Sequence, residues 1–242
     1  MKPTIVLLHG ALNTSDQFTL LSEKLQPFFD VFTFDFSGHS QVPYEGVLDM
    51  QVLIGDIARY VQQMEIGTCH ILGYSMGGYA AVSYAKSHPK KLGKIMTLGT
   101  KWDWNSESSA KEVAMLDPDR LAEKIPSYVT KLQSMFGETN WANVVRNTAA
   151  LMSDLGHGGG LAEDDFRKIE TDVLIMRGSE DKMVTAESSL EVASGLKNGT
   201  YAEIDGAPHP LEKVDVDVLV GEMVKFCGLT SQNEYNYSGK DA

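Results

Sequence analysis

Six short apolar runs punctuate the chain, at Thr4–Leu8, Val31–Phe34, Cys69–Leu72, Lys94–Leu98, Val173–Met176 and Tyr201–Ile204. Each is too short for a helix and lacks the alternation of a half-exposed strand, so each reads as a strand covered on both faces. Helical patterns occupy most of the intervals, at Asp49–Met64, Met76–Ser87, Ala186–Leu196 and Leu211–Phe226. Strand and helix in alternation predict an α/β fold, a doubly wound and mostly parallel sheet of about six strands. Right-handed crossovers place helices on both faces. In such a sheet the ligand site lies beyond the C-terminal strand ends.

The alternation stops between about 103 and 168. Helical segments at Ser108–Met115, Arg120–Gln133 and Asn140–Leu155 follow one another there with no strand between them. An all-helical insertion in a doubly wound sheet sits at the loop side, so 103–168 reads as a cap on a core made of 1–102 and 169–228. A polar tail, 229–242, lacks periodicity from Ser231 onward and reads as disordered or loosely packed. Trp102, Trp104 and Trp141 lie in or at the start of the insertion, beside Met115, Tyr128, Met135, Phe136 and Met152. Singly, such side chains most often glue a cap to its core. Together they point to an apolar pocket under the cap, for which Trp104, Met135, Phe136 and Trp141 are the candidate lining. Gly156 to Gly160, interrupted by His157, reads as a flexible return to the core.

Composition excludes several classes. A net charge of −12 opposes nucleic acid and anionic membranes, which need clustered Lys and Arg. No apolar run approaches the roughly 18 residues that span a bilayer. Lys2-Pro3 leads directly into a strand pattern with no cleavage site, so a cytoplasmic protein is expected, as a monomer or homodimer acting on a small molecule. The two cysteines, Cys69 in a strand and Cys227 at a helix end, provide neither a disulfide framework nor a zinc site. No phosphate-binding glycine motif follows a strand. Neither a metal nor a cofactor is expected.

The chemistry concentrates at Gly73-Tyr74-Ser75-Met76-Gly77-Gly78, between the third strand and the helix after it. A serine with glycine two residues away on either side, in that setting, reads as a nucleophile elbow. The turn is so tight that side chains at 73 and 77 would strike neighbouring backbone, and Ser75 is pushed out at the sheet edge. A plain glycine-rich turn gives the same string without the function. A serine hydroxyl needs a base to take its proton and a group to orient the base.

Of the six histidines, His9 and His39 follow the first two strands, His70 lies in a strand, His88 ends a helix and His157 lies in the cap return. That leaves His209, on the loop after the last strand and at the same sheet edge as Ser75. Two adjacent carboxylates follow the fifth strand, and Asp181 is the better orienting acid than Glu180, although helix capping near Thr185 is an alternative role. The order Ser, Asp, His is the one expected for this elbow. Oxyanion donors are the Met76 backbone N–H, at a helix N-terminus, and one from the loop after the first strand. Ala11 is the first candidate there, with Leu12 left open.

These motifs resemble the α/β-hydrolase superfamily: His9-Gly10, the elbow around Ser75, Gly178-Ser179-Glu180-Asp181 and His209-Pro210-Leu211-Glu212, in order across residues 4 to 226. The resemblance implies Ser75 as nucleophile, Asp181 as acid, His209 as base, Met76 and Ala11 as oxyanion donors, and His9 as a structural residue. Two departures stand out. The two N-terminal strands usual in the family are expected to be absent, and its Gly-His-Gly-x-Ser turn is here Gly38-His39-Ser40-Gln41. The expected activity is hydrolysis of a small, largely apolar carboxylic ester through an acyl-enzyme. Thioester, lactone or carbon–carbon bond hydrolysis on the same triad is an alternative, and a non-catalytic ligand receptor is the rival of another class. Tyr79 stands where relatives that recognise polyacids are expected to carry arginine, and no basic residue is evident for a substrate carboxylate.

Overall fold

A computed structural model describes residues 1–41, 43–89 and 92–229. The polar tail read from Ser231 onward lies outside the described residues.

Six strands form one sheet: β1 (Thr4–Leu8), β2 (Asp30–Phe34), β3 (Cys69–Tyr74), β4 (Leu92–Leu98), β5 (Asp172–Gly178) and β6 (Gly199–Ile204). They are all parallel, in the order β2-β1-β3-β4-β5-β6. Their side chains divide between two apolar layers, as the period of a strand requires. Val6, Leu8, Ile71, Ile95, Val173 and Ile175 face α2 (Met50–Gln63), α3 (Met76–Ser87) and α9 (Ala186–Gly195). Ile5, Leu7, Leu72, Met96, Leu174 and Met176 face α1 (Thr19–Leu25) and α10 (Val216–Cys227). Burial on both sides explains the unbroken apolar runs.

Chain order reverses between β1 and β3, which pair in register from Thr4↔Cys69 to Leu8↔Gly73. A crevice opens at such a switch point because the loops leave β1 and β3 toward opposite faces. The β1 loop and the elbow around Ser75 flank it.

Between β4 and β5 lie five α-helices, α4 (Ser106–Val113), α5 (Pro118–Lys124), α6 (Pro126–Phe136), α7 (Trp141–Asp154) and α8 (Glu163–Phe166), with one π-helical turn at Leu155–Gly159 after α7. The expected helix Arg120–Gln133 is two helices. Pro126 has no N–H to donate and forces the residue before it out of helical geometry, and Ile125 sits at φ −140°, ψ 64°. Likewise Leu211–Phe226 is divided: a short 3₁₀ turn at Leu211–Lys213 precedes α10, whose start is fixed by the Asp215 carboxylate accepting from the Asp217 and Val218 N–H groups. The glycines at 156 to 160 are not simply flexible. A side chain at Gly156 would overlap Ser109 of α4, and one at Gly160 would overlap the Tyr79 hydroxyl.

The insertion is tied to the loop after β2. Asn140 Nδ2 donates to the Ser40 carbonyl at 2.8 Å, and His39 Nε2 lies 3.4 Å from Thr148 Oγ1 on α7. His39 is fully buried, and that burial, with the neighbouring His9, holds its pKa down at about 3. Unfolded, the imidazole titrates near 6.5. The folded form thus resists a proton that the unfolded chain accepts. The contribution of this group to stability is complete above about pH 6.5 and is lost as pH falls toward about 3. His39→Gln is therefore expected to narrow the gap in denaturation free energy between pH 7 and pH 4.5. An unchanged gap would mean that His39 titrates alike in both states.

Candidate active site

The backbone at Ser75 is strained. Its φ of 51° and ψ of −115° lie where side-chain-bearing residues rarely go, at a cost of about 1–3 kcal/mol. Surrounding bonds hold it there: its N–H donates to the Leu98 carbonyl at 2.9 Å, and its own carbonyl accepts from Gly78 N–H at 3.0 Å and Thr100 Oγ1 at 3.0 Å. A side chain at Gly73 would overlap the Gly77 carbonyl, and one at Gly77 would overlap that of Leu8. Only glycine lets the first turn of α3 close against β1 and β3.

At the ends of β5 and β6 the chain brings Asp181 and His209 together. His209 Nδ1 lies 2.8 Å from Asp181 Oδ2, while Asp181 Oδ1 accepts from the Met183 and Val184 N–H groups at 2.8 and 3.1 Å. Asp181 is 4% exposed. Burial alone would raise its pKa, but the His209 contact and the two backbone donors outweigh that, and the carboxyl sits below its ordinary value. An ionised acceptor at Nδ1 keeps the proton on that nitrogen and leaves Nε2 free as a base. Glu180 is exposed, and among the described residues it makes no hydrogen bond or ion pair with His209; its backbone N–H donates to the Ala207 carbonyl at 3.0 Å.

His9 organises the β1 loop. The Phe36 N–H donates to His9 Nε2 at 3.0 Å, so the ring proton resides on Nδ1, 2.8 Å from the Gly10 carbonyl. Beyond this pinned peptide, Leu12 turns at φ 55° and buries its side chain against the inserted helices, while Ala11 faces the cavity that holds Ser75. Met76 begins α3 and lines the same space.

That cavity, about 530 Å³ with its open mouth, is lined by Ser75, His209, Ala11 and Met76 from the candidate site, with Trp104, Leu151, Met152 and Leu155 from the insertion. Tyr79 also lines it, its phenol pushed up to about 12 by burial. Met50, Lys101, Glu112, Met183 and Val184 complete the wall and were not evident in the sequence. Lys101 is the basic residue that sequence reading missed: its ammonium stands 3.2 Å from Asp103 and over the Trp104 ring.

Of the four expected pocket residues, only Trp104 reaches this cavity. Met135, Phe136 and Trp141 belong instead to the insertion's own apolar core, with Leu132, Val144 and Val145. The reason is periodicity: Val129, Leu132 and Phe136 form one stripe of α6, and that stripe meets α7 rather than the sheet. Phe136 is fully buried. Phe136→Ala is expected to cost about 3–5 kcal/mol of stability in chemical denaturation. A change in substrate preference with unaltered stability would contradict this placement.

Among the described residues no cluster of His, Cys, Asp and Glu could hold a metal ion, and no helix is long and apolar enough to cross a membrane.

Residues 1–213 match the sequence profile of the family Hydrolase_4, serine aminopeptidase, S33. An sn-1-specific diacylglycerol lipase, ABHD11, of Xenopus laevis is 26% identical over 98 residues, 40% of this chain and 31% of the lipase. The chain thus aligns with only about a third of that relative's length. The (E)-2-((N-methylformamido)methylene)succinate hydrolase of Acinetobacter baylyi is 20% identical over 219 residues, 85% of this chain and 82% of that enzyme. Among solved structures, the 2-hydroxy-6-oxo-6-phenylhexa-2,4-dienoate hydrolase of Rhodococcus sp. strain RHA1 shares the fold with a TM-score of 0.77, at 19% identity over 93% of this chain and 90% of its own. Sheet order, elbow and profile agree, and the chain belongs to the Hydrolase_4 family of the α/β-hydrolase superfamily.

Proposed function

We propose that this hydrolase cleaves a carboxylic ester with a small, largely apolar acyl group through an acyl-enzyme on Ser75. The observation that carries the reading is the 2.8 Å contact between Asp181 and His209, with His209 and Ser75 lining one cavity. In the first half-reaction the Ser75 hydroxyl attacks the carbonyl carbon as His209 Nε2 takes its proton. The tetrahedral oxyanion is met by the Ala11 and Met76 N–H groups, the latter reinforced by the α3 dipole. Collapse breaks the bond to the alcohol oxygen, which leaves with the proton from His209. Water then repeats the attack through the same base, and acid and free Ser75 are regenerated.

Tyr74, the residue before the nucleophile, supports the base. Its hydroxyl donates to the His209 carbonyl at 2.6 Å. Burial, with the charges of Glu212 and Asp181, raises its pKa and keeps that proton in place. Tyr74→Phe is expected to lower kcat about five- to tenfold, the worth of one such hydrogen bond, with KM little changed. Unaltered kcat would remove Tyr74 from the positioning of His209.

The direct test is release from p-nitrophenyl acetate and butyrate. Repeated turnover supports hydrolysis. A single equivalent followed by tight retention of ligand would support a receptor on the same scaffold.

Lys101 favours a second reading, in which the substrate carries a carboxylate near the scissile bond. A succinate derivative is the substrate named for the Acinetobacter baylyi relative. Comparing monoethyl succinate with ethyl butyrate separates the two, since a lysine that recognises the carboxylate raises kcat/KM for the first and Lys101→Met removes the preference.

A further inference from the structure

A second groove lies behind the catalytic cavity. It runs between α2, α3 and the return segment after α7, encloses about 550 Å³ with its open mouth, and mixes the apolar Ile54 and Leu161 with the polar Gln51, Ser83, Lys86 and Ser87. One side chain, Met50, lines both spaces. It is the first residue of α2, held by the Asp49 carboxylate accepting from the Val52 N–H at 2.9 Å, and it is 2% exposed. A thioether on three rotatable bonds is a wall that can move. On the far side the Ser83 hydroxyl is buried and has no hydrogen-bond partner among the described residues. A buried hydroxyl in that state takes its partner from water or from a bound molecule.

The chemistry assigns a direction. His209 must return its proton to the leaving oxygen, so the alcohol lies on the His209 side, with Met183 and Val184 beside Asp181. The acyl group then extends the opposite way, over Met76 and Tyr79. Those two residues share one apolar cluster with Met50, Leu151 and Leu155.

We propose that Met50 sets the acyl-length limit of this enzyme and that the groove beyond it is a distal acyl subsite, which takes a longer acyl chain along Ile54 and Leu161 once the thioether is displaced. The inference rests on the acyl-enzyme reading above and names its substrate class: esters whose acyl chain stops at Met50 in the resting protein, extendable along the α2–α3 groove. An oxo or hydroxyl group carried on the chain would meet the Ser83 hydroxyl, with Gln51, Lys86 and Ser87 on the same wall.

The test is a series of p-nitrophenyl esters from acetate to decanoate. Met50→Ala is expected to raise the kcat/KM ratio of decanoate to acetate at least about tenfold, the scale of a few methylenes newly accommodated. Gln51 is exposed at the outer rim of the groove, so Gln51→Trp obstructs it without entering the core. In the Met50→Ala background it is expected to return the ratio toward that of the parent, which general loosening of the site would not explain. An unchanged ratio in Met50→Ala, or a raised ratio indifferent to Gln51→Trp, overturns the subsite. If the parent turns over neither acetate nor any longer ester, the acyl-enzyme reading itself fails.

Discussion

Asp181→Asn is expected to lower kcat on a short ester by about 10⁴-fold while the protein remains folded. The carboxylate is almost fully enclosed and uses both oxygens, one toward His209 Nδ1 and one toward the Met183 and Val184 N–H groups. An amide can present either its oxygen or its NH₂ to His209. If the NH₂ faces the ring, Nδ1 must accept, the ring proton moves to Nε2, and the base loses its free lone pair. The imidazolium formed during attack also loses its counter-charge. Steady-state kinetics beside a melting curve check both halves of the expectation. Glu180→Gln, one residue away but exposed, is expected to change kcat by less than about twofold, since surface substitutions away from special features do little. The reverse pattern would transfer the orienting role to Glu180.

Ser75→Ala is expected to have the larger effect, a loss of about 10⁶-fold in kcat, because it removes the hydroxyl that carries the acyl group through both half-reactions. Ligand binding is expected to persist in this variant, since the Ala11 and Met76 N–H groups and the apolar wall are untouched. Turnover that survives the substitution would point to direct attack by water and to a different mechanism.

The parts of this molecule governed by short-range rules were legible in the sequence. Thr4–Leu8 and Met76–Ser87 have the bounds read from their residues, because a fully buried strand and a glycine-marked helix start leave sharp local signals. That Ser75, Asp181 and His209 come to one sheet edge was readable for a topological reason: each follows a strand, and parallel strands bring those loops together. The β6 strand, partly exposed at the sheet edge, starts at Gly199, two residues before its apolar run. Helix α1 escaped notice because seven residues show little more than one turn of its stripe, Leu21 and Leu25.

What sequence could not resolve was direction within the insertion. Phe136 and Trp104 are both large aromatic side chains, yet Phe136 closes the helical core because its stripe of α6 meets α7, while Trp104, on the loop before α4, roofs the cavity. Met50 and Lys101 became wall residues only through tertiary packing. A partial signal existed for Lys101, three residues past the end of β4, where a doubly wound sheet gathers its ligand contacts. Nothing local marks Met50.

The most direct measurement is covalent labelling by a fluorophosphonate probe followed by peptide mapping. The probe reacts with a serine only where a base has activated it and donors receive the developing oxyanion, so it reports the assembled site without knowledge of the substrate. One adduct per chain, on the peptide carrying Ser75 and absent in Ser75→Ala, is the expected result. An adduct on any other residue, or undiminished labelling of Ser75→Ala, would contradict the assignment of Ser75 as the nucleophile.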